Sequence, residues 1–270
     1  MILAVDAGNT RVKGALVGPD RVEALFAFAT ASISEEPWGL SKALETWSPK
    51  LCRVEGVVVC TVVPELDRPL SSALRRATGC PVSFVRHTWK LPFRVGVARP
   101  ARLGTDRLCA AAGALGPRRE HAIVVDVGSA VTVDLVVSRN FRGGLIMPGA
   151  GLGLWALGNY ARRLPKITRG RVTSCFPKRF DDTEPSMILG VHVGVVGAIT
   201  GAVRELRRAS GLSPSVFITG GGARPLVGRL PAEWIWDPHL VPRGLYCLWK
   251  FNGFRRPGTA GRADPPKKRP

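Results

Sequence analysis

Residues 1–17, MILAVDAGNTRVKGALV, decide the fold of this chain. Met1–Val5 is a short apolar run that ends at the polar turn Asp6–Thr10, and Arg11–Val17 then resumes a strand pattern. This pattern predicts a β-hairpin that opens a sheet. Residues 122–137, AIVVDVGSAVTVDLVV, repeat the arrangement about 120 residues later, which indicates a duplicated α/β fold.

Three further stretches organise the rest of the chain. Gly56–Val63 predicts a buried strand because it is continuous, β-branched and short. Arg107–Leu115 predicts an Ala-rich helix that ends at Gly116-Pro117, and Ser215–Thr219 predicts a strand before a run of glycines. We therefore expect an N-terminal domain over residues 1–117, a C-terminal domain over 118–250 and a basic, disordered tail over 251–270.

Composition narrows the class of protein. The 270 residues are 45% apolar with a mean hydropathy of +0.09, which excludes a wholly disordered or collagen-like chain. Lys and Arg number 39 against 20 Asp and Glu, and the resulting charge of +19 would attract phosphates, nucleic acid or anionic lipid without specifying any of them. Arginines spread over a solvated surface explain this charge, so nucleic acid is not the favoured partner.

Cysteine usage and apolar runs indicate the compartment. The six cysteines include no C-x-x-C pair, as expected in a reducing cytoplasm, and no basic segment precedes the first apolar run as in a signal peptide. Gly143–Ala161 is uncharged for long enough to raise the question of a membrane span. Its six glycines and Pro148 favour instead a buried glycine-rich turn that leads into a helix, and we expect no membrane partner.

Each of the two hairpin turns carries groups that suit a polyphosphate. The first combines a carboxylate (Asp6), backbone N–H groups, a hydroxyl (Thr10) and an ammonium (Lys13), which are the groups that a nucleotide with Mg²⁺ requires. A single such turn is equally typical of an ordinary hairpin. The second turn, with Asp126 and Ser129, adds an alternative, in which the two turns face each other and clamp a phosphate chain between two domains.

Five ordered motifs over about residues 1–245 resemble those of the type III pantothenate kinase family, which also includes Bvg-type accessory factors for transcription. The motifs are Asp6-x-Gly-Asn-Thr-x-x-Lys13, Gly104-Thr-Asp-Arg107, Asp126-x-Gly-Ser-Ala-x-Thr-x-Asp134, Gly143-Gly-x-Ile-x-Pro-Gly149 and Thr219-Gly-Gly-Gly-Ala223. The resemblance implies two duplicated actin/hexokinase-like (ribonuclease H-like) domains around a nucleotide cleft. It also implies a homodimer that transfers the γ-phosphoryl group of ATP to pantothenate, the first step of coenzyme A synthesis, with Mg²⁺ and a monovalent cation (K⁺ or NH₄⁺).

The resemblance also implies roles for residues in the substrate loop. Asp106 corresponds to the catalytic carboxylate that orients the attacking hydroxyl and accepts its proton, and we expect it also to cap the helix that follows, since the two roles are compatible. Thr183 aligns with a threonine that contacts the substrate across the dimer interface, or else caps a helix. The substrate-binding residues are thus Gly104, Thr105, Asp106, Arg107 and Thr183.

The cofactor-binding residues follow from the same resemblance. Asp6 corresponds to the carboxylate associated with Mg²⁺, and Asp126 to the ligand of the monovalent cation, a role that suits a hard carboxylate oxygen. Lys13 is alternatively a solvated strand residue. Ser129 stands where the family has threonine and keeps the hydroxyl. The residues expected to bind ATP are Asp6, Ala7, Gly8, Asn9, Thr10, Arg11, Val12, Lys13 and Ser129.

One position departs from the family pattern. Val97 stands where the family usually carries a tyrosine that lines the pantothenate pocket, and Phe93 replaces that ring only if the loop differs in length. Two alternatives to a pantothenate kinase therefore stay open: a regulatory or nucleic-acid-associated accessory factor, and a kinase for another hydroxylated small molecule. The zinc-dependent sugar kinases of the superfamily are disfavoured, because no Cys/His cluster with ligand spacing is present.

Overall fold

The first half of the chain forms a five-stranded mixed sheet in a computed structural model that describes residues 1–35, 37–167, 176–177 and 179–254. The tail predicted over residues 251–270 lies outside the described residues from residue 255 onward. The sheet has the order β3-β2-β1-β4-β5, in which β1 to β3 run antiparallel and β4 and β5 run parallel to β1. Its strands are β1 (Ile2–Ala7), β2 (Arg11–Val17), β3 (Val22–Ala29), β4 (Val57–Thr61) and β5 (Val82–Phe84).

The second half forms a six-stranded sheet in the order β11-β10-β7-β8-β9-β6. Apart from β6, its strand order and directions repeat those of the first sheet, so the predicted duplication is confirmed. Its strands are β6 (Arg94–Val95), β7 (Ala122–Val127), β8 (Ala130–Val137), β9 (Asn140–Pro148), β10 (Ser215–Thr219) and β11 (Ile235–Trp236).

Helices cover both faces of both sheets. They are α1 (Thr30–Glu35), α2 (Pro37–Glu45), α3 (Ser48–Leu51), α4 (Asp67–Thr78), α5 (Thr105–Leu115), α6 (Ala150–Tyr160), α7 (Thr183–Ser210) and α8 (Leu240–Phe251). Within the described residues, α7 alone is long and apolar enough to cross a membrane by length and composition. Its buried residues, including Ile199 and Val203, pack against the second sheet as those of a core helix do.

The core consists of layers because each sheet buries both of its faces. Successive residues of β1 point to opposite sides: Leu3 and Val5 pack toward α1 to α4, whereas Ile2 and Ala4 face α5 and α8. The second sheet repeats the pattern, with α7 on its outer face. Helices α5 and α8 therefore form the middle layer between the two sheets.

The middle helices touch through their backbones. A Cβ atom on Gly244 of α8 would lie 1.7 Å from the carbonyl oxygen of Cys109, and one on Gly113 of α5 would lie 2.2 Å from that of Leu240. Only glycine permits this approach at both positions. Two elements pack against the half of the chain on the other side of the predicted boundary at residue 117. Strand β6 precedes the boundary but joins the second sheet, and α8 follows it but packs against β1. The boundary itself stays a prediction.

The interpretation of Gly143–Ala161 as a buried turn is wrong, although the helix expected after it is present as α6. The first part is strand β9, and Ile146 and Trp155 are 63% and 52% exposed. The glycines serve strand pairing instead, because a Cβ on Gly144 would lie 2.1 Å from the carbonyl oxygen of Val133 on β8.

Candidate active site

The two hairpin turns meet in the cleft between the sheets. The hydroxyl groups of Thr10 and Ser129, which are 119 residues apart in the chain, form a hydrogen bond with each other. Each turn is closed by a glycine amide: Gly8 N donates to the Arg11 carbonyl oxygen, and Gly128 N donates to that of Ala130, both at 3.0 Å. Both segments are hairpin turns and they meet in space, and the clamp on a phosphate chain stays a prediction.

The residues of the first turn divide into two groups. Ala7 and Val12 are buried in the core of the first sheet, so only their backbone atoms are available to a nucleotide. Asn9 and Arg11 are exposed. Lys13 extends across the cleft toward the glycine turn after β10, where a Cβ on Gly221 would lie 3.8 Å from its Nζ atom.

Asp6 and Asp126 occupy equivalent positions near the ends of β1 and β7. Burial, together with the nearby Asp6 and Asp106 carboxylates, raises the pKa of Asp126 to about 7. Burial also raises the pKa of Asp6, while Lys13 opposes that rise. Because three carboxyl groups share the cleft with one ammonium group, a bound cation would relieve their repulsion. The donor set therefore suits a hard metal ion.

The glycine turn that follows β10 packs directly against Asp126. Gly220 has a φ of +94°, and a Cβ atom there would lie 2.4 Å from Asp126 Oδ1. The amide of Gly222 donates to the carbonyl oxygen of Val127 at 2.9 Å, which holds this turn against β7. These close approaches need glycine, because the Asp126 carboxylate and the Val127 carbonyl group fill the space that a side chain would occupy.

Asp106 lies in the first turn of α5. Its Oδ1 atom accepts a hydrogen bond from the backbone N–H of Arg107 at 2.8 Å, and burial raises its pKa. The N-cap of this helix is Gly104, and Asp106 lies inside the first turn. The prediction that Asp106 caps the helix is therefore wrong. A Cβ on Gly104 would lie 2.3 Å from Asp106 Oδ1, and the Thr105 hydroxyl donates to the carbonyl oxygen of Thr61 at 3.1 Å.

Arg107 is held by a buried partner whose role the sequence reasoning missed. Its Nε atom donates to both carboxylate oxygens of Asp134 at 3.1 and 3.0 Å, and Nη2 donates as well, whereas Asp134 is 1% exposed. Although burial disfavours the charge, Asp134 raises the pKa of Arg107. The available signal was the alternation along β8, which puts Thr132 and Asp134 on one face.

Three other residues named from the sequence lie elsewhere. Thr183 is the exposed first residue of α7, and the N-cap of that helix is Asp182, whose side chain accepts from the Thr183 amide. No contact recorded for the described residues joins Thr183 to the cleft of the same chain. Phe93 is 7% exposed in the core between the sheets, and its role in place of the tyrosine ring stays a prediction. Val97 is partly buried close to Gly143.

Metal binding in the cleft would rely on few protein ligands. Over residues 1–35, 37–167, 176–177 and 179–254, no group of three or more His, Cys, Asp or Glu residues is placed to hold a metal ion. A cation at Asp6 or Asp126 would therefore complete its coordination with backbone, water or phosphate oxygens, as magnesium bound to a nucleotide commonly does.

Comparison with known proteins gives consistent results. The family model described as type III pantothenate kinase matches residues 2–205. The chain is 33% identical over 259 residues to the type III pantothenate kinase of Halorhodospira halophila, with 95% of this chain and 100% of that one covered. It is 27% identical over 257 residues to the enzyme of the same name from Persephonella marina, with 94% and 100% covered.

Solved structures share the fold. A protein from Campylobacter jejuni described as a Baf family transcriptional activator superposes with a TM-score of 0.57 at 20% identity, covering 93% of this chain and 98% of that one. The glucokinase of Balamuthia mandrillaris superposes with a TM-score of 0.53 at 11% identity, covering 92% and 93%. The predicted fold of two duplicated hexokinase-like halves is confirmed.

Proposed function

The chain belongs to the type III pantothenate kinase family, and from this premise we propose how its cleft transfers the γ-phosphoryl group of ATP to pantothenate. The reaction yields 4′-phosphopantothenate and ADP, the first step of coenzyme A synthesis, and it uses a divalent metal. The observation that carries the proposal is the meeting of the two hairpin turns at Thr10 and Ser129, with Asp6, Lys13 and Asp106 beside them.

The two turns bind the phosphates of ATP. Backbone N–H groups and the Thr10 and Ser129 hydroxyls donate to phosphate oxygens, and the Lys13 ammonium neutralises part of their charge. Asp6 would hold the Mg²⁺ that accompanies the nucleotide, and the ion would neutralise negative charge on the phosphoryl group during its transfer. Support for this division comes from the pKa of Asp6, which burial and the Asp106 carboxylate raise although Lys13 opposes the rise, so that a cation beside Asp6 would favour its ionised form.

Asp106 orients the pantothenate hydroxyl and accepts its proton. One of its oxygens already accepts from the Arg107 amide, which leaves the other for the substrate. Burial raises its pKa and makes it a better proton acceptor than a solvated aspartate. Arg107 uses Nε and Nη2 for Asp134, so Nη1 stays free to bind the substrate.

A monovalent cation binds at Asp126. The support is electrostatic, because Asp126 takes a pKa of about 7 from burial and from two neighbouring carboxylates. A cation at this position keeps the group ionised at neutral pH. Turnover of the wild type should therefore rise with added K⁺ or NH₄⁺, and Asp126→Asn should lose that dependence; an equal response in both proteins would contradict the assignment.

The functional unit is a homodimer. Its support is an apolar surface on β9, α6 and α7 that stays exposed in one chain, where Ile146, Trp155 and Val193 are 63%, 52% and 53% exposed. In this arrangement Thr183, also on α7, completes the substrate pocket of the second copy. Light scattering should give twice the 29.0 kDa chain mass, and Trp155→Glu should give the monomer; a monomeric wild type would contradict the proposal.

The cytoplasm is the proposed compartment. Its support is the chemistry of the cysteines, because Cys52, Cys60, Cys80, Cys109 and Cys247 are all free thiols, as expected in reducing surroundings. Fractionation of the source cells, with antibody detection of the chain, tests this directly. Recovery in an exported fraction would contradict it.

The decisive test is ADP release by purified protein with ATP and Mg²⁺, with and without pantothenate. We expect pantothenate-dependent turnover that falls by about 10²–10⁴-fold in Asp106→Asn, while calorimetry still detects Mg·ADP binding. Asp20→Asn, a change at an exposed carboxylate, is the matched control and should retain full activity. A folded wild type without pantothenate-dependent turnover would refute the proposed substrate.

A further inference from the structure

We propose that Cys60 is a positioning residue for Asp6: its thiol donates a hydrogen bond to one carboxylate oxygen and directs the other toward the bound nucleotide. The inference rests on the proposed nucleotide site but not on pantothenate as the acceptor. Cys60 belongs to β4 and none of the motifs that identify the family includes it.

Strand register brings the thiol to Asp6. Asp6 on β1 pairs with Lys13 on β2 and with Cys60 on β4, so the three side chains form one row across the sheet. In-register residues of neighbouring strands point to the same face, about 4.8 Å apart. Asp6 therefore stands between an ammonium group on one side and a thiol on the other.

The distance between the thiol and the carboxylate is that of a hydrogen bond donated by sulfur. The Sγ atom of Cys60 lies 3.5 Å from Oδ1 of Asp6, and Cys60 is fully buried. A thiol carries one hydrogen and a carboxylate can only accept, so the sulfur is the donor in this contact.

The thiol leaves Asp6 with two different oxygens. Oδ1 accepts from Cys60, and the second oxygen is left for the metal–phosphate side of the cleft. A buried carboxylate without this donor would lose one of the groups that fix its rotation, and the orientation of both oxygens would become less defined.

The same end of β4 also fixes the second carboxylate of the site. Thr61, the next residue, accepts a hydrogen bond through its carbonyl oxygen from the hydroxyl of Thr105 in the first turn of α5. Asp106 follows directly on that helix. Two adjacent residues of one strand thus set the positions of Asp6 and Asp106 relative to each other.

The test compares Cys60→Ala, which removes the donor, with Cys60→Ser, which restores a donor of similar size. Cys80→Ala is the matched control, because Cys80 is also a fully buried thiol of the first half, with its Sγ atom 3.3 Å from the carbonyl oxygen of Val54. The readouts are the dissociation constant of Mg·ADP without pantothenate, the KM values for ATP and pantothenate, and the thermal midpoint. Should Cys60→Ala not fold, Cys60→Val replaces it, since valine fills the space without a donor and suits a strand.

We expect Cys60→Ala to weaken Mg·ADP binding and raise the KM for ATP by about fivefold, the size expected of one ordinary hydrogen bond, because the S–H group is a weak donor. The KM for pantothenate should not change, and Cys60→Ser should stay within about twofold of the wild type. Equal affinity in Cys60→Ala and the wild type would overturn the proposal, and so would a serine variant as weak as alanine or an equal loss in Cys80→Ala. Because Mg·ADP binding needs no acceptor, these outcomes are separable from failure of pantothenate turnover.

Discussion

Asp126→Asn should make the protein more stable at high pH, although it removes the carboxylate that we propose as the ligand of the monovalent cation. Burial and the neighbouring carboxylates raise the pKa of Asp126 from 3.8 to about 7, so the folded chain holds this proton more tightly than the unfolded chain does. The wild type therefore loses stability as pH rises from about 4 to about 7, and the loss is complete above that range. Asparagine carries no charge and escapes the loss.

The magnitude follows from the size of the shift. A rise of about three pKa units corresponds to at most about 4 kcal/mol, at 1.36 kcal/mol per unit. Because Asp126 is open to the cleft on one side, solvent screening lowers the expected gain to about 1–2 kcal/mol, or about 2–6 °C in Tm. The difference between variant and wild type should be clearly smaller at pH 5 than at pH 8.

Thermal and urea unfolding at pH 5 and pH 8, in buffer without metal ions, measure this difference. Asp20→Asn, at an exposed carboxylate, controls for the general effect of removing one charge and should show no such pH dependence. Added K⁺ or Mg²⁺ should narrow the gap at pH 8, because a cation bound only by the folded wild type stabilises it. A difference that does not grow with pH, or a less stable asparagine variant at pH 8, would refute the reasoning.

Three further predictions concern packing and charge. Asp134→Asn leaves the partly buried guanidinium of Arg107 without its counter-ion and should cost about 2–4 kcal/mol in urea unfolding, somewhat less than for a fully buried charge; a loss under 1 kcal/mol would contradict the role of this pair. Gly244→Ala places a methyl group 1.7 Å from a backbone oxygen and should lower the free energy of unfolding by about 1–3 kcal/mol. Gly201→Ala meets open space on α7 and should raise the free energy of unfolding by up to about 1 kcal/mol. Equal Tm values in the two variants would argue against the backbone contact between α5 and α8. Lys13→Met should raise the KM for ATP about tenfold and leave the KM for pantothenate unchanged, and a change in both would point to a wider structural role.

The duplicated fold and its two hairpin turns could be predicted from sequence because their signals are local. Asp6 and Asp126 each follow an apolar run and precede a glycine turn, so both the strand and the site are read from about ten residues. The resemblance then supplied the activity. The exposure of Ile146 could not be predicted from the sequence. A hydrophobic residue gives the same sequence signal whether it packs in the core of its own chain or against a second copy of the chain.

Contacts between distant elements were not predictable in the same way. The contact of Cys60 with Asp6 depends on the register of two strands that are not neighbours in sequence. The pairing of Arg107 with Asp134 depends on how α5 packs over the second sheet. Neither register nor helix placement leaves a periodic trace in the sequence, so only the folded chain brings these groups together.

The backbone contact of α8 with α5 sets an order of events during synthesis. Gly244 contacts Cys109, and the same helix packs against β1, so the first sheet lacks part of its core until the chain has been made as far as Phe251. At about 5–20 residues per second, that part follows β4 after about 10–40 s. The N-terminal half therefore leaves the ribosome with the α8 side of Ile2 and Ala4 still uncovered, and α8, the last helix within the described residues, then packs against both halves at once.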